Sequence, residues 1–246
     1  MSKRALVKEY AEKHRYFSLP QILQDVNLEK KLVEDYLFQL KQENVVFEAG
    51  YGFFSTVAGK FPFTPVRRVE VIRQSLRKNY PLVDFLIWDT KIFAPLYHHT
   101  QTHHITFVEV EKDLVFSIHE HLYGKYRGVL KERRVKSFFA GFDVTLDPVV
   151  VRAMPSRSPR EGNVPALEKI LVDMYLDINK YSYIGHSDYF ELWWDLVRLY
   201  RINIRELIGY SRRRKCLRQL FPQLIENNNS YAIDFCQLIA KVGKRL

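Results

Sequence analysis

Three carboxylates in two neighbouring strand-like runs are the residues of this sequence with the clearest catalytic potential. Asp84 lies in the first run, and Glu109 and Glu111 lie in the second, which Lys112 follows. Glu109 and Glu111 point to one face of an extended strand, because side chains alternate between the two faces. Clustered carboxylate oxygens hold Mg²⁺, and a bound metal ion assists phosphodiester hydrolysis. The pattern therefore permits a metal-dependent nuclease.

This arrangement resembles the metal-binding core of restriction-endonuclease-like nucleases. Those enzymes usually place the lysine two residues after the second acid, and here Glu111 occupies that place. The other interpretation is that the carboxylates line the solvent face of a half-buried strand, whose apolar residues are Phe107, Val108 and Val110. We favour the second interpretation and keep the nuclease as the alternative hypothesis.

Histidines near these strands offer a second possible metal site: His98, His99, His103, His104, His119 and His121. Zinc sites are marked by cysteine partners or by regular ligand spacing, and neither accompanies these histidines. Histidines of this kind more often occupy polar loops and strand ends. The sequence therefore predicts no metal ion and no other cofactor.

The first sixty residues follow the order of a winged helix-turn-helix. A helix is predicted over 5–14, and the capping-box pattern of Ser18 and Gln21 opens a second helix. A third helix follows Asn27, a good N-cap, and runs to about residue 42.

After the third helix the hydrophobic period changes from helical to extended, which predicts a short hairpin. Its tip is the Gly-Tyr-Gly segment 50–52, which would be the wing. In such folds the third helix enters the major groove of DNA, and the wing lies beside the backbone or in the minor groove. The predicted DNA-contacting residues are Lys30, Lys31, Gln39 and Tyr51.

The charge of this head limits how strongly it would attract DNA. Residues 1–60 hold nine Lys or Arg and eight Asp or Glu. A net charge of about +1 gains little from phosphate neutralisation, which normally supplies much of the affinity for DNA. Winged helices also serve as protein-interaction modules, so that alternative stays open.

The chain is predicted to have an α+β fold in two domains. A linker containing Gly and Pro separates the winged helix (1–60) from the remainder (61–246). In that remainder, strand-like runs at 82–88 and 105–111 alternate with helical segments, which favours an α/β sheet layer. From Pro165 onward the pattern is helical almost throughout.

Composition indicates a folded basic protein. The chain has 246 residues, 47% of them hydrophobic, and a formal net charge of +10. No apolar run approaches the roughly 20 residues that span a bilayer, and Lys and Glu interrupt the N-terminal segment too early for a signal peptide. We therefore expect a cytoplasmic protein without membrane contact.

Most of the excess positive charge lies outside the first sixty residues, with about +5 in 61–140 and +4 in 141–246. This distribution favours polyanionic or acidic partners. Basic residues interleaved with tyrosines suit phosphate contact and base stacking, and a solvated connecting segment is the equally open alternative. The predicted basic patch comprises Arg127, Lys131, Arg133, Arg134, Arg212, Arg213 and Arg214.

Two C-terminal segments carry a family resemblance. The run 165–173 (PALEKILVD), and Tyr200-Arg201-Ile202-Asn203 followed by Leu207 and 210–214, resemble segments of AbiE-type antitoxins, which are AbiEi-like transcriptional regulators. The order of winged helix, α/β segment and helical end fits the same family.

The resemblance implies a phage-defence antitoxin of a toxin-antitoxin system, encoded beside a nucleotidyltransferase-like toxin. It implies that the winged helix binds operator DNA and represses the shared promoter, and that the larger C-terminal part neutralises the toxin. Such a regulator is not an enzyme.

Overall fold

The computed structural model of the protein describes residues 2–97, 103–132, 147–181 and 183–226, together with Phe235, Leu238 and Ile239. The chain forms two compact units. Residues 1–61 and 193–246 form the first, called here the head unit, and residues 62–192 form the second, the sheet unit. Among the described residues, no helix is both long enough and apolar enough to cross a membrane.

The head unit begins with a winged helix. Its elements are α1 (Lys3–Lys13), β1 (Tyr16–Ser18), α2 (Leu19–Val26), α3 (Lys30–Gln42), β2 (Phe47–Glu48) and β3 (Phe53–Ser55). The strands form an antiparallel sheet of order β1-β3-β2. The predicted helices and hairpin are present, and β1 is an addition that the hydrophobic pattern did not indicate.

The three helices and the hairpin enclose one apolar core, to which each element contributes. Its buried residues are Val7, Ala11, Phe17, Ile22, Val33, Leu37, Leu40 and Val46. Because α3 buries Val33, Leu37 and Leu40, its opposite face is left to solvent.

Local capping agrees with the sequence at the start of α2 and differs at its end. The side chain of Gln21 accepts a hydrogen bond from the backbone N–H of Ser18 at 2.8 Å, as the capping box predicts. The prediction that Asn27 is the N-cap of α3 is wrong. Asn27 has a φ of 51° and ends α2 in the left-handed conformation, which asparagine tolerates, and Glu29 precedes α3.

The sheet unit contains most of the strands. Its elements are α4 (Arg67–Asn79), β4 (Phe85–Asp89), β5 (Thr106–Val110), α5 (Val115–Tyr123), β6 (Val129–Lys131), β7 (Val149–Ala153), β8 (Arg160–Glu161), β9 (Val164–Pro165) and α6 (Leu167–Tyr181). Four strands form a sheet of order β4-β5-β7-β6, in which β4 runs antiparallel to β5 and the other pairs are parallel. The α/β sheet layer predicted for this part of the chain is present.

Helices cover both faces of this sheet. Val151 packs with residues of α4 and α5 on one face. Its neighbour Arg152 points to the other face and bonds to Asp177 of α6. A sheet covered on both faces buries both sets of side chains, and every residue of β4 and β5 is buried.

The helical end of the chain follows. Its described elements are α7 (His186–Leu199), α8 (Ile204–Arg213) and α9 (Leu217–Glu226). From Trp193 onward these residues belong to the head unit. Whereas the sequence suggested a single division after residue 60, the winged helix and the C-terminal helices form one compact unit.

A buried tyrosine joins these two parts of the head unit. The hydroxyl of Tyr16 in β1 donates to the carbonyl of Tyr200 at 3.1 Å and accepts from the backbone N–H of Ile202 at 3.1 Å. Close by, the N–H of Arg201 donates to the carbonyl of Gly59 at 2.7 Å. These contacts fix the segment that leads into α8.

Candidate nucleic-acid interface

The solvent face of α3 presents the residues that the sequence assigns to DNA contact. Lys30, Lys31 and Gln39 are all exposed on it. Lys30 lies 3.7 Å from Glu34, an exposed ion pair that contributes little to stability. Phe38 is 58% exposed on the same helix. Sequence reasoning missed it, although a phenylalanine among the polar residues of an amphipathic helix is a usable signal.

The wing, residues 47–55, is a tight hairpin that projects a tyrosine. Gly50 and Gly52 have φ values of 104° and 77°, a region that favours glycine. Between them Tyr51 is 77% exposed. The N–H of Phe53 closes the turn on the carbonyl of Gly50 at 2.8 Å. The N–H of Leu19, at the start of α2, donates a hydrogen bond to the carbonyl of Gly52 at 3.0 Å.

The wing and α3 share a cavity of about 500 Å³, which α2 also borders. Lys30 and Tyr51 both line it, so the structure brings these two predicted residues together. Lys31 and Gln39 are elsewhere on the exposed surface of α3.

Helix α8 packs against the other side of the wing. The N–H of Ile204 donates to the carbonyl of Ala49 at 2.8 Å. The guanidinium of Arg205 lies 5.3 Å from the centre of the Tyr51 ring, within reach of a cation–π contact. A Cβ atom on Gly50 would lie 2.7 Å from Oδ1 of Asn203 and 2.9 Å from Cβ of Arg205. This close approach of wing and helix therefore requires glycine.

A second cavity, of about 860 Å³, is lined by residues of the wing and of α8. It is called here the arginine groove. Arg205, Arg212 and Arg213 line it, and all three are exposed. Two of the predicted basic residues thus lie beside the wing, although they are about 160 positions from it in sequence. Arg214 is partly buried, with its guanidinium 6.0 Å from the ring centre of Tyr210.

The C-terminal helices make the net charge of the head unit more positive. Residues 1–61 hold nine Lys or Arg and eight Asp or Glu, whereas residues 193–226 hold eight Lys or Arg and three Asp or Glu. The nearly neutral winged helix is therefore part of a clearly basic unit, and the basic surplus comes from the segment that contains α8.

Two further members of the predicted basic patch, Arg127 and Lys131, lie in the sheet unit. Lys131 lies 4.0 Å from the centre of the Phe116 ring and 3.7 Å from Glu120. Arg133 and Arg134 are outside the described residues.

The carboxylates of the nuclease hypothesis have separate partners. Asp84 is half-exposed and pairs with Arg160 at 2.5 Å, while Glu109 is fully buried with other partners. Glu111 lies exposed just beyond β5. Within the described ranges, no three His, Cys, Asp or Glu side chains are grouped to hold a metal ion. The geometry does not assemble the predicted ligand set.

The histidines that the sequence considered as ligands are dispersed. His103 is buried, His119 lies 3.0 Å from Glu120, and His121 lies 3.0 Å from the hydroxyl of Ser75. His98 and His99 are outside the described part of the chain.

Glu109 instead belongs to a buried ion network between the sheet and α6. Arg152 in β7 contacts Glu109 at 2.7 Å and Asp177 at 2.5 Å. Lys169 contacts Glu109 at 2.7 Å and Asp173 at 2.6 Å. Burial alone would raise the pKa of Glu109, but the two cations outweigh it and hold that pKa at about 2. Every carboxylate of the network has a cationic partner.

One signal for this network was present in the sequence. Lys169, Asp173 and Asp177 follow each other at spacings of four, which places them on one face of a helix. The sequence did not show that this face packs against a strand glutamate and a strand arginine.

The chain matches a protein-family model over most of its length. The model of a family described as a family of unknown function (DUF6577) matches residues 32–231 of the chain. The match spans most of α3, the wing, the sheet unit and α8. No curated protein matches the chain.

Proposed function

The chain belongs to the DUF6577 family, and we propose that it is a non-enzymatic, DNA-binding regulator of the antitoxin type. In this proposal α3 enters the major groove of operator DNA, and the wing lies beside the backbone. The protein represses its own promoter in the cytoplasm and neutralises a nucleotidyltransferase-like toxin, as the resemblance to AbiE-type antitoxins implies.

The observation that carries the DNA-binding proposal is the joint surface of α3, the wing and α8. The predicted contact residues of α3 are exposed rather than packed. The wing presents Tyr51 to solvent, and the adjacent helix adds arginines to a winged helix that has little net charge of its own. This arrangement supplies base-edge contacts from one element and phosphate attraction from another, the usual division in protein–DNA interfaces.

Phe38 fits the same proposal. An exposed phenylalanine on the helix that enters the major groove can contact the C5-methyl group of thymine. Glu34, on the same helix, can accept a hydrogen bond from a cytosine amino group. A mixed face of this kind gives α3 groups suited to base reading rather than to general phosphate attraction.

A protein-docking role for the winged helix is the competing interpretation, and salt distinguishes it. Contacts between Lys or Arg and phosphates release counterions, so the affinity falls steeply as salt rises. Docking through an apolar side chain such as Phe38 would show little salt dependence and no preference among DNA sequences.

We expect Lys30→Ala/Lys31→Ala to weaken binding to the protein's own upstream DNA by about 10- to 100-fold, because base-edge contacts from α3 would be lost. Fluorescence anisotropy at low salt, with the upstream fragment and a scrambled fragment of equal length, measures the change. Lys3→Ala/Lys13→Ala on α1 is the matched control, since it removes the same charge from the same unit and is expected to retain the preference. Wild-type protein that binds neither fragment, or both equally, would overturn the proposal.

The antitoxin role has its own test. Co-expression of the chain with the nucleotidyltransferase encoded beside it is expected to restore growth that the toxin alone arrests. The Lys30→Ala/Lys31→Ala variant is expected to restore growth equally well from an independent promoter, because neutralisation is assigned to the larger C-terminal part. Failure of the wild-type chain to restore growth would refute this role while leaving DNA binding intact.

A further inference from the structure

We propose that α8 and the wing together form a phosphate-binding surface, and that the occupant of the arginine groove is the sugar-phosphate backbone of DNA. This inference rests on the proposed DNA binding and deepens it. It assigns the salt-dependent part of the affinity to α8, which lies outside the winged helix in sequence, and leaves base reading to α3.

The first support is the arrangement of side chains along α8. Arg205, Gly209 and Arg212 are spaced by four and three, which places them on one helix face, and Arg213 lies at the edge of that face. That face borders the groove, and the three arginines are exposed there. At Gly209, in the centre of the stripe, an added Cβ would lie 3.5 Å from the guanidinium of Arg213, so that guanidinium lies close over the helix backbone. The stripe therefore presents three long cations to the groove.

The second support is a match of length. From Arg205 to Arg213 the helix rises by about 12 Å. A DNA strand carries one phosphate per roughly 3.4 Å of helix axis, so roughly three phosphates pass over this distance. Arg205 lies about 10 Å along the helix from the adjacent pair Arg212 and Arg213, so the two ends of the stripe can reach separate phosphates. Guanidinium also suits phosphate because it donates two parallel hydrogen bonds.

The third support is the attachment of the stripe to the wing. The contact of Gly50 with Asn203 and Arg205 leaves no room for a Cβ, so wing and helix are held side by side. Arg205 lies against the ring of Tyr51 at the exposed end of the wing. A wing lying along a DNA backbone would therefore bring α8 against the same backbone.

Two carboxylates, Glu48 and Glu206, also line the groove. Three arginines exceed them by one charge. Glu206 follows Arg205 directly and is exposed. Its carboxylate opposes phosphate binding, so its removal offers a test in which affinity rises.

The decisive measurement is the salt dependence of DNA affinity for Arg205→Ala/Arg212→Ala/Arg213→Ala. The slope of log affinity against log salt is expected to become shallower by about 3, equally for the upstream fragment and a scrambled one. Alanine keeps the Cβ of Arg205 that abuts Gly50, so the attachment of the wing is preserved. A melting temperature equal to that of the wild type shows that the triple variant is folded.

Two further variants separate this inference from general charge effects. Arg67→Ala/Lys78→Ala/Arg127→Ala removes three exposed cations from the sheet unit and is expected to leave the slope unchanged. Glu206→Gln is expected to tighten binding to both fragments by up to about fivefold, which a folding defect cannot imitate.

The outcomes also separate this inference from the function it rests on. If the α8 triple variant keeps the wild-type slope, or if the sheet-unit control flattens it as much, the inference is wrong, and α3 can still read the operator. If wild-type protein shows no salt-dependent affinity for any DNA, DNA binding itself is wrong.

Discussion

Arg152→Met is expected to destabilise the sheet unit by about 3–5 kcal/mol, because it leaves buried carboxylates without their principal cation. Arg152 is 4% exposed, and it contacts Glu109, Asp173 and Asp177, whose side chains are fully buried. Methionine approximates its length and supplies no charge. Native-state hydrogen exchange measures this loss of stability in β5 and β7, the strands that carry Glu109 and Arg152.

The matched control for this variant is Arg160→Met. Arg160 pairs with Asp84 at 2.5 Å, the same distance as Arg152 to Asp177, but Asp84 is 46% exposed. Solvent screens that pair, so its loss is expected to cost about 1 kcal/mol or less. Equal losses for the two variants would contradict the view that burial, rather than distance, decides the energy of these ion pairs.

Gly50→Ala is expected to destabilise the head unit considerably more than Gly52→Ala. Both glycines have positive φ, so alanine costs about 1–3 kcal/mol of backbone strain at either position. At Gly50 the new Cβ would also lie within 3 Å of Asn203 and Arg205, which adds about 1–3 kcal/mol. At Gly52 no atom of the described residues, apart from the chain neighbours, lies within 4 Å of the new Cβ.

Thermal unfolding of the two variants measures this difference, and DNA titrations show its consequence. Gly50→Ala is expected to flatten the salt dependence, because the wing would move away from α8. Gly52→Ala is expected to keep the salt dependence of the wild type. Equal melting temperatures for the two would refute the close packing of wing and helix.

The winged helix was predictable because its signals are local. Caps, helical stripes and a glycine-tipped hairpin each depend on residues within a few positions of one another. The misassigned cap shows the limit of such signals, since Asn27 suits both the start of one helix and the end of another. Strand β1 was not predicted, because its three residues are all buried and show no alternation of polar and apolar side chains.

The contacts that define the candidate site could not be predicted, because they join distant parts of the chain. Nothing near Gly50 in sequence indicates that Arg205 will pack against it. The same reason explains the misinterpretation of Glu109. A glutamate in an apolar strand suggests a solvent face, whereas here α6 covers that face and supplies Lys169.

The discontinuous head unit also imposes an order on synthesis. The ribosome completes the wing before it begins the roughly 130 residues of the sheet unit, and the arginines of α8 come after them. At about 5–20 residues per second, the wing waits on the order of ten seconds for its helical neighbour. A nascent or prematurely terminated chain therefore carries a nearly neutral winged helix, and only a chain translated through α8 acquires the basic surface. The DNA attraction proposed for the head unit therefore depends on translation through α8.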